Sequence, residues 1–207
     1  IAGTDRRAEV RKAALQLAAY GGVALLTLLG LVAMFVSYRK NTGYLEQVAT
    51  TAQALEQSPP APAGTSLSQQ LPRLGALRQV LDTTAHSGKD SPWSMHAGLY
   101  QGRALREAAG DAYARELNAV VVPALARLFE QRIESLVGEP DKLYEYLKGY
   151  LMIGSRHRLQ PEQLALLAAL EWEQEYGSEP QVRADLMSHL EWLLTAERLS
   201  PAPIDAD

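Results

Sequence analysis

The sequence predicts an all-α protein: one transmembrane helix continuing into an irregular extracytoplasmic helical bundle. Three observations carry that prediction. The stretch Ala13–Tyr38 holds 26 residues without a formal charge. Apolar residues in the rest of the chain recur at steps of three and four, the period of a helix face. No run alternates with the period of two that a half-buried strand requires.

The uncharged run comes first. A helix rises ~1.5 Å per residue, so the run exceeds the ~30 Å hydrocarbon core of a bilayer. Gln16, Thr27, Ser37 and two tyrosines are its only polar side chains. A soluble helix of this length needs a polar face, and this one has none. Four basic residues precede it (Arg6, Arg7, Arg11, Lys12) and two follow (Arg39, Lys40). Lysine and arginine are retained on the cytoplasmic side, so residues 1–12 are expected inside and everything after residue 40 outside. A cleaved signal peptide is the competing account, but its apolar region is normally ~7–15 residues and ends in small residues. This run is longer and ends Met34-Phe35-Val36-Ser37-Tyr38. Inside it, Ala14, Ala18 and Gly22 form a ladder of small residues, with Gly30 two steps further on. Such ladders let helix backbones approach closely in membranes, which makes these four the helix-packing candidates.

No proline interrupts the chain between the span and Gln57, so residues 39–57 are expected to extend the same helix. Leu45, Val48, Ala52 and Leu55 mark a narrow stripe there that calls for a partner helix. The segment 58–68 contains S-P-P-A-P-A-G-T-S and reads as a proline-rich loop. Residues 69–199 are expected to form the helical domain. Its first helix, about Gln69–Ala85, carries Leu71, Leu74, Leu77 and Leu81, and His86–Trp93 breaks it. The longest pattern runs from about Arg103 to Val137, and Pro123 is expected to kink or divide it. Gly138-Glu139-Pro140-Asp141 ends that helix and starts the next, with Leu143, Leu147, Tyr150 and Leu151 on one side. The turn G-S-R-H-R leads to a helix opened by Pro161 and bearing Leu164, Leu167, Leu170 and Trp172. After Gly177 and Pro180, a last helix spans about Val182–Glu197. The tail, 200–207, is expected to be extended or bound to something else.

Composition narrows the function. Outside residues 1–40 there are 14 basic and 22 acidic side chains, a surface that repels nucleic acid. The chain has no cysteine, which removes disulfides, thiolate zinc sites and cysteine nucleophiles. It begins at Ile1 and reads as a piece of a larger protein. The histidines (His86, His96, His157, His189) are dispersed. Asp185 and His189 share a helix spacing used by metal sites, but no second ligand pair stands beside them, and no metal or cofactor is expected. Glu171 and Glu175 share a face as a general acid and base do in a cleft, an arrangement equally common on solvated helices. Phosphate-loop, dinucleotide and nucleophile-elbow motifs are absent. No catalytic residue is assigned. Protein interaction is the remaining reading, with Leu45, Val48, Ala52, Leu55, Tyr144, Tyr150, Arg156 and Arg158 as its candidates. The tyrosines Tyr144, Tyr146 and Tyr150 could line a ligand groove or pack in the core. Arg156-His157-Arg158 offers a small basic turn on an acidic domain.

Four blocks also carry a family resemblance. A-G-L-Y-Q-G-R-A-L (Ala97–Leu105), A-Y-A-R-E-L-N-A-V-V-V-P-A-L (Ala112–Leu125), L-Y-E-Y-L-K-G-Y-L-M-I-G (Leu143–Gly154) and the helix of Trp172 occur in an order that resembles the periplasmic region of the IcmF/TssM family. Gly154-Ser155 departs from the more acidic turn expected there. The resemblance implies a fragment of the type VI secretion inner-membrane scaffold: the last transmembrane helix and the first periplasmic helices. It further implies a homo-oligomeric ring, a TssL-like inner-membrane partner, contact with membrane lipid, and a TssJ-like outer-membrane lipoprotein bound through a region this chain lacks. The expected function is a structural and gating subunit. The alternatives are a membrane-anchored periplasmic sensor that binds a ligand, or a tethered hydrolase using Glu171 or Glu175.

Overall fold

A computed structural model describes residues 6–57, 65–89 and 102–202, with side chains described from residue 9 and excluding 86–89. The order is α1 (Arg6–Glu56), α2 (Leu67–Lys89), α3 (Gly102–Ser135), α4 (Pro140–Gly154), a 3-10 turn (Arg156–Arg158), α5 (Pro161–Glu175) and α6 (Pro180–Thr195). No strand occurs among the described residues.

The first helix is unbroken for 51 residues. Its apolar part is long enough to cross a membrane and is exposed on every side. Burial begins at Ser37 and continues through Asn41 and Tyr44, with Val48 and Leu55 half-buried, and α1 packs against α2. The first two buried positions are polar and satisfy each other: Asn41 Nδ2 donates to the Ser37 carbonyl at 2.9 Å and its hydroxyl at 3.4 Å.

The core is built on α3, which packs against α2, α4 and α6. Tyr113, Leu117, Val121, Leu125 and Phe129 recur every fourth residue and are almost completely buried. A ladder of that spacing drifts slowly round a helix of 3.6 residues per turn, so it meets different neighbours along its length. Helices α2 and α3 run antiparallel, joined by Arg73–Glu116 at 2.7 Å and by Arg106 Nη2 to the Ala85 carbonyl at 3.1 Å. Pro123 does not divide α3. The carbonyl it orphans belongs to Ala119, an exposed residue whose oxygen water can reach.

Three helices begin with proline in the first turn (Pro140, Pro161, Pro180), where the missing N–H has no partner to lose. The break expected at His86 comes later, because α2 continues to Lys89; residues 90–93 lie outside the described set, as do 58–64 and 203–207. One predicted stripe is rotated and a second loses one member. On α4 the buried residues are Tyr146, Gly149, Tyr150, Met152 and Ile153, whereas Leu147 is exposed. On α5 the buried residues are Leu164, Leu167, Ala168, Glu171 and Trp172, and Leu170 faces out. In both cases leucine occurs on more than one face, and the neighbours cover only one of them. The start of the tail is bound: Leu199 is buried and Ala202 N donates to the Ile153 carbonyl at 3.1 Å.

Candidate functional site

The residues that suggested chemistry are built into packing. Glu171 lies 4 % exposed beneath α3 and accepts from Arg132 Nε at 2.8 Å, Arg132 Nη2 at 3.1 Å and the Tyr146 hydroxyl at 2.6 Å. Burial, then the adjacent Glu171 carboxylate, pushes the Tyr146 phenol up to about 12, so it stays a donor. Glu175 is exposed, and the two carboxylates do not converge on one cleft. His189 is buried with its Nδ1 hydrogen-bonded to the Tyr113 hydroxyl, while Asp185 accepts from Gln181 at 2.9 Å. Desolvation, reinforced by Arg78, lowers the His189 imidazole to about 4. A neutral ring accepting from a phenol is a core contact. Among the described residues no group of three His, Cys, Asp or Glu side chains could hold a metal. His96 and the His86 side chain lie outside those residues.

The interaction candidates fall into three places. Ala14, Ala18, Gly22 and Gly30 face outward along the apolar part of α1, and a methyl group at either glycine would meet open space. Val48, Ala52 and Leu55 are half-buried near α2, and Leu45 is exposed. The remaining four lie on or just after α4. Tyr144 points out, while Tyr150 is buried and donates to Glu130 at 2.6 Å. Arg156 Nε donates to the Leu199 carbonyl at 3.0 Å, and Arg158 lines a groove with Tyr144, Leu147 and Leu151.

A larger groove was not anticipated. It occupies about 660 Å³ between the end of α3, the start of α4 and α5, and its apolar wall is Leu136, Leu166, Leu167 and Leu170. Glu139, Asp141 and Glu145 stand around it. Leu166, a leucine outside the stripe expected to be buried, was the available signal, whereas Leu170 was expected on that stripe.

A family model described as "IcmF-related: Intracellular multiplication and human macrophage-killing" matches residues 71–207. The chain is 32% identical over 214 residues to "Type VI secretion system component TssM1" of Pseudomonas aeruginosa, covering 100% of this chain and 18% of that protein. The chain therefore spans about a fifth of that relative's length. No solved structure matches. With most of its helical bundle inside the family model and identity extending along its full length, the chain belongs to the IcmF-related family.

Proposed function

We propose that the chain is a structural and gating segment of the trans-envelope membrane complex of a type VI secretion system. In this reading residues 1–12 are cytoplasmic, 13–38 cross the inner membrane, 39–57 extend the helix, 58–68 form the loop, and 69–199 with the tail 200–207 lie in the periplasm. The observation that carries it is the continuity of α1. One helix runs without a break from the basic flank through an uncovered apolar segment into a seam packed on α2. Stretching or shearing a helix along its axis breaks its backbone hydrogen bonds, so displacement of the span passes to the bundle. Similarity to a secretion component named TssM1 supports the assignment. The partners are further copies in a ring, a TssL-like inner-membrane protein, membrane lipid and, through a region outside this chain, a TssJ-like lipoprotein. Affinity purification from membranes, with mass spectrometry and imaging, tests it. Rings that contain the other envelope proteins are the expected result; recovery only as a lone monomer overturns it.

The second reading, a ligand-binding sensor, draws on the groove of about 660 Å³, a volume within the ~300–1,000 Å³ of small-molecule sites. Its polar groups are engaged with each other, however: Arg132 with Glu171 and Gln174, and Lys142 with Glu139 at 2.6 Å. Thermal stabilisation by a periplasmic metabolite would favour the sensor.

A further inference from the structure

His189 has two partners within reach and holds only one of them. Its ring is buried, and Nδ1 meets the hydroxyl of Tyr113, a fully buried residue of α3. Burial pushes the Tyr113 phenol up, so the hydroxyl keeps its proton and can donate it. Nδ1 is then the acceptor, a role it has only while the ring is neutral. The second partner is Asp185, one turn earlier on α6, partly exposed and now accepting from Gln181 Nε2 at 2.9 Å. Residues four apart on a helix are neighbours on its surface.

The groups around the ring favour a different partner in each protonation state. From α2, Arg78 bears on the ring and on the phenol with its positive charge, its Nη1 donates to the Ser188 carbonyl at 3.3 Å, and Asp82 lies 3.7 Å from its Nε. From α3 comes Tyr113. From α6 come Asp185 and Trp192, whose ring centroid is 4.5 Å from that of Tyr113. A neutral imidazole suits this setting, because it accepts the phenol proton and adds no charge beside the guanidinium. An imidazolium does not suit it. Both of its nitrogens donate, so Nδ1 and the phenol would turn hydrogens toward each other in a buried place next to Arg78. Asp185 offers the reverse, a carboxylate with access to water.

We propose that His189 is a proton-operated latch between α6 and the α2–α3 pair. Neutral, it closes the seam by accepting from Tyr113. Protonated, it swings about its side-chain torsions to Asp185, which gives up Gln181 for it, and the seam opens where the ring had been. One proton passes from solvent to Nδ1, and one hydrogen bond between helices is exchanged for one within α6. Because α2 is also the helix that packs on α1, acid loosens α6 from the element that adjoins the apolar helix. The latch lies inside the bundle and does not depend on the assembly proposed above. Linkage sets its size. The closed ring titrates at about 4 and an opened one near the ordinary 6.5, so the closed form is favoured above that range and loses ground as pH falls through it. Between pH 7 and pH 4.5 the ratio of closed to open falls roughly fifty-fold.

Hydrogen exchange of the full chain in phospholipid vesicles tests the latch, read by mass spectrometry at pH 7 and pH 4.5 and corrected for the intrinsic pH dependence of exchange. Local opening lowers protection in proportion to the population that opens. Peptides from residues 77–85 of α2 and 185–192 of α6 are therefore expected to lose protection roughly fifty-fold in acid, while peptides from residues 143–153 of α4 keep theirs. His189→Gln retains an oxygen that accepts from Tyr113 but takes up no proton, so its seam should stay protected at both pH values. Asp185→Asn, a change on the partly exposed side of α6, removes the second partner and should shrink the acid response severalfold. An equal acid response in His189→Gln overturns the latch, as does the absence of any response in the unmodified chain. Loss of protection in all helices together also overturns it, because acid would then unfold the bundle as a whole. An undiminished response in Asp185→Asn overturns the exchange of partners.

Discussion

Arg132 holds the buried carboxylate of Glu171 in a two-pronged grip, with Nε 2.8 Å from one oxygen and Nη2 3.1 Å from the other. The contact ties α3 to α5, and Tyr146 joins it from α4 with a hydroxyl 2.6 Å from the same carboxylate. Three helices therefore meet at one acidic side chain. The two partners differ in their access to water: the Glu171 side chain is 4% exposed and that of Arg132 28%.

That difference predicts unequal mutational effects. Arg132→Ala strands a buried carboxylate and is expected to destabilise the bundle by about 3 kcal/mol or more. Glu171→Gln keeps an acceptor for Tyr146 and leaves an arginine that can turn to solvent, so about 1–2 kcal/mol is expected. Chemical denaturation of the detergent-solubilised chain measures both. Equal losses would show that the grip is not buried in solution.

Two helix glycines should respond to alanine in opposite directions. A methyl at Gly149 would sit 2.6 Å from Leu167 Cδ1 and 3.1 Å from Phe129 Cε2, both in the core. Overpacking costs ~1–3 kcal/mol, which outweighs the ~1 kcal/mol that alanine gains in a helix. At Gly75 on α2 nothing lies within 4 Å, so Gly75→Ala is expected to stabilise by roughly 0.5–1 kcal/mol. Melting temperatures of the two variants should fall on either side of the unmodified chain.

His189 makes stability depend on pH. Its folded value, about 4, lies below the ordinary 6.5, so below pH 6.5 the unfolded chain binds a proton that the folded chain refuses. The contribution is complete above about pH 6.5 and is lost as pH falls toward 4, at up to about 1.4 kcal/mol per pH unit. His189→Gln removes this slope and leaves that of the carboxylates. Denaturation midpoints between pH 4 and 7 test the difference between the two chains, and parallel curves would contradict the buried neutral imidazole.

The proposed topology is testable with single cysteines. In intact spheroplasts a maleimide that cannot cross the membrane should label Arg103→Cys, while Val10→Cys should react only after permeabilisation. Labelling of Val10→Cys alone would invert the orientation.

Much of the fold was legible because its signals are local. An uncharged run announces its solvent whatever surrounds it, and proline in a first turn restricts the backbone through its own ring. That is why α1 and the starts of α4, α5 and α6 were placed closely from the sequence. Pro123 was expected to kink or divide its helix; it does not divide it, because α3 is held from three sides and packing outweighs the one lost hydrogen bond. The candidate site was less legible. Tyr144 and Arg158 border one groove, but the grooves depend on leucines whose exposure no periodicity decides.

The sequence by itself determined that the chain is helical, where its helices break, and that one of them suits a bilayer, since each property follows from residues within a few turns of one another. Only the tertiary structure decided which face of each helix is covered. Leu147 and Leu170 carry the same chemistry as Leu164 and Leu167, yet they lie outside because α3 and α6 reach one side of the α4–α5 hairpin and none of the described residues covers the other. Burial is a property of pairs of surfaces, and a single helix contains only one of the two.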